Sequence, residues 1–333
     1  MGGALRALRG NGGAPMIAQK LAGQVGVMFL LMAIGVFIRK KGIVSVESAR
    51  QFSNFALFII TPSLLVNVFQ RDFHPEMAAS IALSALLVAV FHLLAALLTR
   101  PLFPHRGDGD DRSAVARLGA ISSNCGFMGI PLMTAAMGED SMIFAAIYIG
   151  IFNIYIWSHG VMLLRRDGRI RWKEILLSPG VLGASLGVLL YLLQIRLPGL
   201  LLDTLGFLSG MNTPLPMVIT GVLIADLAVG ETLRDLRLYF TAFVRLVGLP
   251  LVMLGLMLLA RVPGWFDGAP TVVLAMVISV SCPVAISTVM MPTRFGGDAQ
   301  YGAKLVALST LLSIFTIPAV ASLAQWAMAQ GNF

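Results

Sequence analysis

The stretch SSNCGFMGIPLM, residues 122–133, lies within a long apolar segment but contains two serines, an asparagine, two glycines and a proline. Proline removes one backbone hydrogen bond from a helix and clashes with the preceding turn. In hydrocarbon an unpartnered backbone group costs several kcal/mol, so breaks are tolerated only against protein or a water-filled cavity. The stretch therefore predicts a broken helix that faces the interior of a membrane protein.

The composition of the whole chain indicates an integral membrane protein. Of its 333 residues, 57% are apolar and 12% are charged, and the mean hydropathy is +0.86. A soluble domain carries about 25% charged residues. The net charge of +8 does not indicate nucleic acid, because 16 of the 24 Lys and Arg residues lie in every other short connector between the apolar runs. We therefore expect an all-α membrane protein whose environment is the lipid bilayer and which has no nucleic-acid partner.

Ten apolar segments approach the length of about 20 residues that a helix needs to cross a bilayer. They lie at 18–38, 47–69, 77–99, 115–137, 141–164, 175–195, 203–228, 239–260, 271–292 and 301–326. Cytoplasmic loops are enriched in Lys and Arg, and the odd-numbered connectors hold sixteen such residues against three in the even-numbered ones. We expect the odd-numbered connectors to be cytoplasmic and both termini to lie outside, with residues 1–17 as an N-terminal tail.

Prolines at matching places indicate an internal duplication. Pro62 and Pro214 interrupt the second and seventh segments, and Pro131 and Pro283 interrupt the fourth and ninth, with 152 residues between the members of each pair. Each half has five segments, an odd number, so the two copies insert with opposite orientation. The sequence predicts a first five-helix repeat at 18–164, a cytoplasmic linker at 165–174 and a second five-helix repeat at 175–333.

Broken helices at matching places of two inverted halves indicate a transport site, because half-helix N-termini offer free amides and a positive dipole end to an anion. Asn124 is the first candidate ligand, since its amide can bond a carboxylate and a freed backbone group in one plane. The alternative is that Asn124 only satisfies the broken backbone. The candidate substrate-binding residues are Asn124, Ser123, Gly126, Pro131, Ser281, Cys282, Pro283 and Asn153.

Arginine and cysteine also occur inside the apolar segments. Arg245 lies about two turns inside the eighth segment, where an ionisable group is a functional candidate. It can face the anion, pair with Asp226 or extend to the cytoplasmic surface, and the last is our expectation. The cysteines, Cys125 and Cys282, have no Cys or His neighbour at metal-ligand spacing, so we expect no disulfide, no metal and no cofactor.

Three strings resemble the auxin efflux carrier family, which includes bacterial and PIN-like carriers. They are NCGFMGIPL (124–132), NFALFIITPSLLVNVF (54–69) and PVAISTVMMPTRFGGDAQYGAKLVALSTLLSIFTIP (283–318), and their order agrees with that family. The resemblance implies ten helices in two inverted repeats, with helices four and nine crossing at Pro131 and Pro283. It implies a scaffold of helices one, two, six and seven and a moving transport domain formed by the rest. Asn124 takes the place of the family's crossover asparagine.

The resemblance implies a secondary transporter for small organic anions, such as carboxylates or dicarboxylates, that works by elevator-type alternating access. Plant members have a second asparagine where this chain has Ser281 and Cys282, and a long loop where it has RRDGRIRWK (165–173). The short linker favours a bacterial carrier of the cell inner membrane. Many carriers with a fixed scaffold pair through it, which makes a homodimer the candidate assembly.

Other functions explain the sequence less well. A sodium-coupled symporter resembling bile acid carriers is the alternative, but it needs acids near the crossing, and none lies within ten residues of Pro283. A membrane-bound enzyme would need a metal or nucleotide motif that we do not find. A non-transporting sensor or assembly factor would leave the matched breaks unexplained.

Overall fold

The computed structural model describes residues 13–72, 74–104, 111–165, 169–227 and 229–331, in which all regular secondary structure is helical. Most of the predicted tail, residues 1–17, lies outside these ranges, and the first helix already begins at Gly13. In chain order the α-helices are α1 (Gly13–Lys40), α2 (Val46–Phe55), α3 (Thr61–Val68), α4 (Ala78–Leu102), α5 (Asp111–Ile121), α6 (Gly129–Met137), α7 (Met142–Tyr155), α8 (Val161–Arg165), α9 (Trp172–Leu176), α10 (Pro179–Leu192), α11 (Gly199–Gly210), α12 (Pro214–Ile224), α13 (Val229–Arg234), α14 (Leu236–Phe243), α15 (Leu249–Leu259), α16 (Ala269–Ser281), α17 (Ser287–Phe295) and α18 (Ala299–Gln330).

Many of these helices are long and apolar enough to cross a membrane. Within the described ranges there are seven such spans, at Ile17–Lys40, Val46–Val68, Pro75–Leu102, Glu139–Arg165, Gly199–Ile224, Leu236–Leu259 and Ala299–Gln330. Helices α10 and α16 are apolar but shorter. The predicted segments at 115–137 and 271–292 are each divided in two, as α5 with α6 and α16 with α17. The all-helical, multi-pass membrane class is thus confirmed, and helices lie at all ten predicted positions.

Three of the spans contain a π-helical turn, at Ala56–Ile60, Ile156–Gly160 and Val244–Gly248. The first of these turns absorbs Pro62, which lacks an N–H and is the second residue of α3. The helix therefore continues from Val46 to Val68, and the predicted interruption at Pro62 is a π turn and not a gap. Pro214 differs, because it begins α12 after a turn at 211–213.

Two pairs of helices approach each other through their backbones. Gly35 of α1 faces Gly221 of α12 so closely that a Cβ atom on either glycine would overlap a backbone oxygen of the other helix. An ion pair between Arg39, near the end of α1, and Asp226, just after α12, links the same two helices, with Nε and Oδ2 2.7 Å apart. Small residues permit this approach between membrane helices. These helices are the first and seventh of the predicted order.

Helix α10 packs on α3 in the same manner. A Cβ atom on Gly183 would lie 2.6 Å from Cα of Pro62, and one on Gly187 would lie 2.8 Å from the backbone oxygen of Leu65. The first predicted helix therefore meets the seventh, and the second meets the sixth, through backbone contacts that leave no space for side chains. Such contacts fix two helices relative to each other, because neither can shift without a steric clash.

We expect Gly221→Val to destabilise the fold, since its side chain would force α1 and α12 apart. Overpacking of this kind costs about 1–3 kcal/mol. The apparent melting temperature of the detergent-solubilised protein measures the effect. Gly23→Val is the matched control, because Gly23 lies on α1, the partner helix, and its added Cβ would meet no atom within 4 Å. Equal melting temperatures for wild type and Gly221→Val would contradict the close approach.

Candidate functional site

The two broken helices meet at their breaks. The helical chain stops at Ile121 and resumes as an α-helix at Gly129, and in the second half it stops at Ser281 and resumes at Ser287. Between these points the two breaks form an isolated antiparallel bridge that pairs Ser123 with Val284. Its hydrogen bonds run from Asn124 N–H to Pro283 C=O, 2.8 Å, and from Ala285 N–H to Ser122 C=O, 3.0 Å. Each break thus satisfies backbone groups that the other has freed.

The two prolines do not occupy equivalent places in this crossing. Pro283 lies in the extended break, whereas Pro131 lies in the first turn of α6, where a missing N–H costs nothing. The bridged pair, Ser123 and Val284, is 284 − 123 = 161 residues apart, so the offset of 152 between the prolines does not relate equivalent positions of the two breaks. The crossing is therefore built on backbone pairing, with Pro283 inside it and Pro131 beside it.

The hydroxyls of two serines, Ser123 and Ser309, form further hydrogen bonds with backbone groups near the breaks. The Ser123 hydroxyl donates to the Ser279 carbonyl over 2.5 Å. The Val284 N–H donates to Oγ of Ser309 on α18 over 3.1 Å. All three serines are buried. Ser309 was not singled out from the sequence, because a serine in a long apolar helix carries no local sign of a distant partner.

Arg245 does not extend to the surface, and that expectation is wrong. Its side chain is 0% exposed, and its guanidinium donates to backbone carbonyls at the crossing. The acceptors are the oxygens of Cys282 at 3.1 Å, Ala120 at 3.3 Å, Ile121 at 2.9 Å, and Val280. The pairing with Asp226 is also wrong, because Asp226 pairs with Arg39. Carbonyls at two helix ends hold the cation where an exposed carboxylate cannot reach.

A cavity of about 60 Å³ lies beside the crossing. Four of the predicted binding residues line it, namely Asn124, Ser123, Gly126 and Asn153. The second break contributes Ala285, Ile286 and Ser287. The other predicted binding residues, Ser281, Cys282, Pro283 and Pro131, are not in its wall. The contribution of the second half thus lies several residues later in the chain than the sequence indicated, because residues 281–283 are used in the crossing itself.

Three polar side chains of the cavity wall lack hydrogen-bond partners within the described part of the chain. Oγ1 of Thr61 and Oγ of Ser287 are buried and unpartnered. The Asn124 side chain, 4% exposed, also has none, although its backbone is paired with Pro283. Asn153 differs, because its Nδ2 donates to the Ile149 carbonyl one turn earlier. Thr61 was missed from the sequence, and Ser287 was left out of the candidate binding residues, although each lies within a string that carries the family resemblance.

The rest of the cavity wall is apolar. It consists of Leu57, Phe58, Phe127, Ile149, Phe152, Ile156, Trp157, Pro179, Gly180 and Met291. Among the described residues that line the cavity, none carries a formal charge. The polar part of the cavity wall is therefore formed by the two breaks, Thr61 and Asn153, and the rest of the wall by aliphatic and aromatic side chains.

A larger cavity of about 560 Å³ adjoins the first one. Both are lined by Leu57, Phe58, Trp157 and Met291, which therefore form the boundary between them. Glu47, Arg50 and Arg294 line the larger cavity, and the two arginines belong to odd-numbered connectors. The Arg294 guanidinium carbon lies 5.4 Å from the centre of the Trp157 ring. We call this larger cavity the vestibule; it opens on the side of the basic connectors.

The turn between α11 and α12 contacts the first break. Nδ2 of Asn212 donates to the Gly126 carbonyl over 2.6 Å, and Oγ1 of Thr213 donates to the Phe127 carbonyl over 2.9 Å. These side chains precede Pro214, the interruption predicted in the seventh segment. They thus bind freed carbonyls of the crossing from the opposite half of the chain.

We expect Thr213→Val to loosen the first break, because valine keeps the shape of threonine and loses one hydrogen bond. A bond of this kind contributes about 0.5–1.5 kcal/mol, which corresponds to roughly two- to twelvefold in an opening equilibrium. Hydrogen–deuterium exchange of peptides covering 122–130 measures it. The matched control is Thr204→Val on α11, where the lost hydroxyl bonds only the Leu200 carbonyl within the helix. Exchange in 122–130 that is the same in both variants would exclude the contact.

The chain is similar to known membrane transport proteins. Residues 22–321 match the family described as membrane transport protein. An uncharacterized transporter of Methanocaldococcus jannaschii is 23% identical, and the match covers 87% of this chain and 94% of the relative. An uncharacterized transporter of Methanothermobacter thermautotrophicus is 22% identical with the same coverage of each chain.

Proposed function

Because this chain belongs to the membrane transport protein family, the family of the auxin efflux carriers, we propose that it is a secondary transporter for small organic anions. The resemblance found in the sequence is thereby confirmed, and the protein is a transporter and not an enzyme. The anion, the mode of transport and the site are our proposals.

The observation that supports the site is the set of unpartnered polar groups in the cavity wall. Buried polar groups are normally hydrogen-bonded, and each exception needs an explanation. Here Thr61 and Ser287 are buried and unpartnered around one small space beside the crossing, and Asn124 lines the same space. We propose that a carboxylate of the substrate accepts hydrogen bonds from them. The start of α17 adds the positive end of its helix dipole, while the amides of Thr288 and Val289 donate to the carbonyls of Ala285 and Ile286.

The wall of the cavity favours a carboxylate with an apolar body. A carboxylate buried in an apolar surround without partners is strongly unfavourable. Because the polar groups are few and no charged side chain of the described chain lines the cavity, a second carboxylate would find no charged partner. We therefore propose that monocarboxylates bind better than dicarboxylates of the same length.

For the transport cycle we propose an elevator mechanism in ten crossings, arranged as two inverted repeats of five. The scaffold would consist of the first, second, sixth and seventh helices, which meet through the glycine contacts of α1 with α12 and of α10 with α3. The remaining helices would carry the crossing. In each cycle the bonds of Asn212 and Thr213 to the first break would open. Access to the cavity would then change from the vestibule to the opposite side of the membrane.

The placement in the cell follows from the charge pattern. We propose that the protein lies in the cell inner membrane with the vestibule facing the cytoplasm and both termini outside. Lys and Arg near membrane helices are retained on the cytoplasmic side. We further propose a homodimer formed through the scaffold, which would keep the scaffold fixed while the crossing moves.

We expect Asn124→Ala to reduce uptake of a radiolabelled monocarboxylate into proteoliposomes by about 10-fold or more, because one hydrogen bond to a charged group contributes about 1.5–3 kcal/mol. Asn124→Asp should reduce it further, since a carboxylate would repel the substrate. Asn67→Ala is the control, because Asn67 lies on α3 outside the cavity wall. Wild-type uptake by the Asn124→Ala protein, folded and inserted, would remove Asn124 from the site.

We expect monocarboxylates to protect the protein from thermal unfolding more than matched dicarboxylates do. A ligand that binds the folded state stabilises it in proportion to its affinity. A thermal-shift series of straight-chain monocarboxylic and dicarboxylic acids with equal carbon number measures the difference, with the corresponding primary amides as uncharged controls. A larger shift with the dicarboxylates would contradict a site that holds a single carboxylate.

A further inference from the structure

Arg245 is the largest side chain that is fully buried in the described part of the chain. It lies in the π-helical turn Val244–Gly248, between α14 and α15. A buried cation is strongly unfavourable unless it is paired and hydrogen-bonded. No carboxylate of the described residues forms an ion pair with Arg245, so its charge must be compensated in another way.

The compensation comes from two helix ends. Ala120 and Ile121 are the last residues of α5, and Val280 and Cys282 lie at the C-terminal end of α16. The carbonyls at a helix C-terminus have no partner within the helix, and each end carries about half a negative charge. Two ends together balance about one positive charge. The guanidinium of Arg245 donates to all four of these carbonyls.

The two opposite sides of the crossing therefore differ in charge. On one side the C-terminal ends of α5 and α16 face a fixed cation. On the other side the cavity receives the start of α17 at Ser287, together with Asn124, and no acid of the described chain lines it. In other carriers with broken helices, the C-terminal ends and unwound carbonyls coordinate Na⁺ or a proton. Here an arginine of the same chain occupies that position.

We propose that Arg245 is a positioning residue that replaces a coupling cation. Its fixed charge holds the two breaks together and leaves the opposite ends of the crossing for the anion, so that neither the crossing nor the anion site requires Na⁺. Only the statement about the anion site rests on the proposed function; the statement that Arg245 holds the two breaks together does not. The stability of the crossing can be measured without any substrate.

The test is chemical rescue of Arg245→Ala in the full-length, detergent-solubilised protein. Hydrogen–deuterium exchange is followed in peptides covering 122–128 and 282–286, which contain the paired amides of Asn124 and Ala285. We expect exchange in both peptides to rise by about 10-fold or more, since charge-assisted hydrogen bonds are lost. Millimolar guanidinium, far below the molar range in which it unfolds proteins, should restore protection. Urea has nearly the same shape but no charge and should not.

Controls separate the charge from general loss of packing. Arg112→Ala removes an arginine that pairs with Asp298 outside the crossing, and its exchange pattern in the two peptides should equal that of the wild type. If Arg245→Ala does not fold, Arg245→Lys and Arg245→Met replace it, because these two side chains are of similar length and differ in charge. We expect the lysine variant to protect both breaks and the methionine variant not to.

Three results would overturn the inference. Unchanged exchange in Arg245→Ala would do so, and so would rescue by urea as effective as rescue by guanidinium. A wild-type protein whose breaks lose protection, or whose monocarboxylate binding is lost, when choline replaces Na⁺ would also contradict it. If no carboxylate binds the wild type, the proposed function fails, while the exchange experiment still decides the role of Arg245.

Discussion

The structure depends on one constraint: a helix can break inside a membrane only if the freed backbone groups find partners. At this crossing each break supplies partners for the other, through the pairing of Asn124 with Pro283 and of Ala285 with Ser122. Further groups are bound by Ser309, by Arg245, and by Asn212 with Thr213, which come from three other places in the chain. The same constraint explains why polar residues concentrate here and beside the nearby cavity.

Much of the fold could be predicted because its signals are local. Apolar runs of membrane length mark helices, and the cluster of small and polar residues at 122–133 marks a break. The positions of these elements agree with the structure. What the sequence could not give was the pairing of residues far apart in the chain. It placed the second half's contribution to the site at Ser281, Cys282 and Pro283, whereas the cavity wall begins at Ala285.

Arg245 shows the same limit most clearly. Depth along an apolar segment indicates that a charge is unusual, but it does not tell which face of the helix carries it. Extension to the surface is the general solution for a single arginine. The actual solution requires two helix ends from two halves of the chain to converge on one guanidinium. Such convergence has no local pattern and becomes visible only when the tertiary structure is known.

The reciprocal pairing of the breaks also constrains how the protein is made. Ser122 and Asn124 are synthesised and inserted long before residues 283–285, which supply their backbone partners. Until the second half arrives, these backbone groups of the first break lack the partners that they have in the finished fold. We therefore expect the first half to complete its packing only after residues 283–285 have entered the membrane.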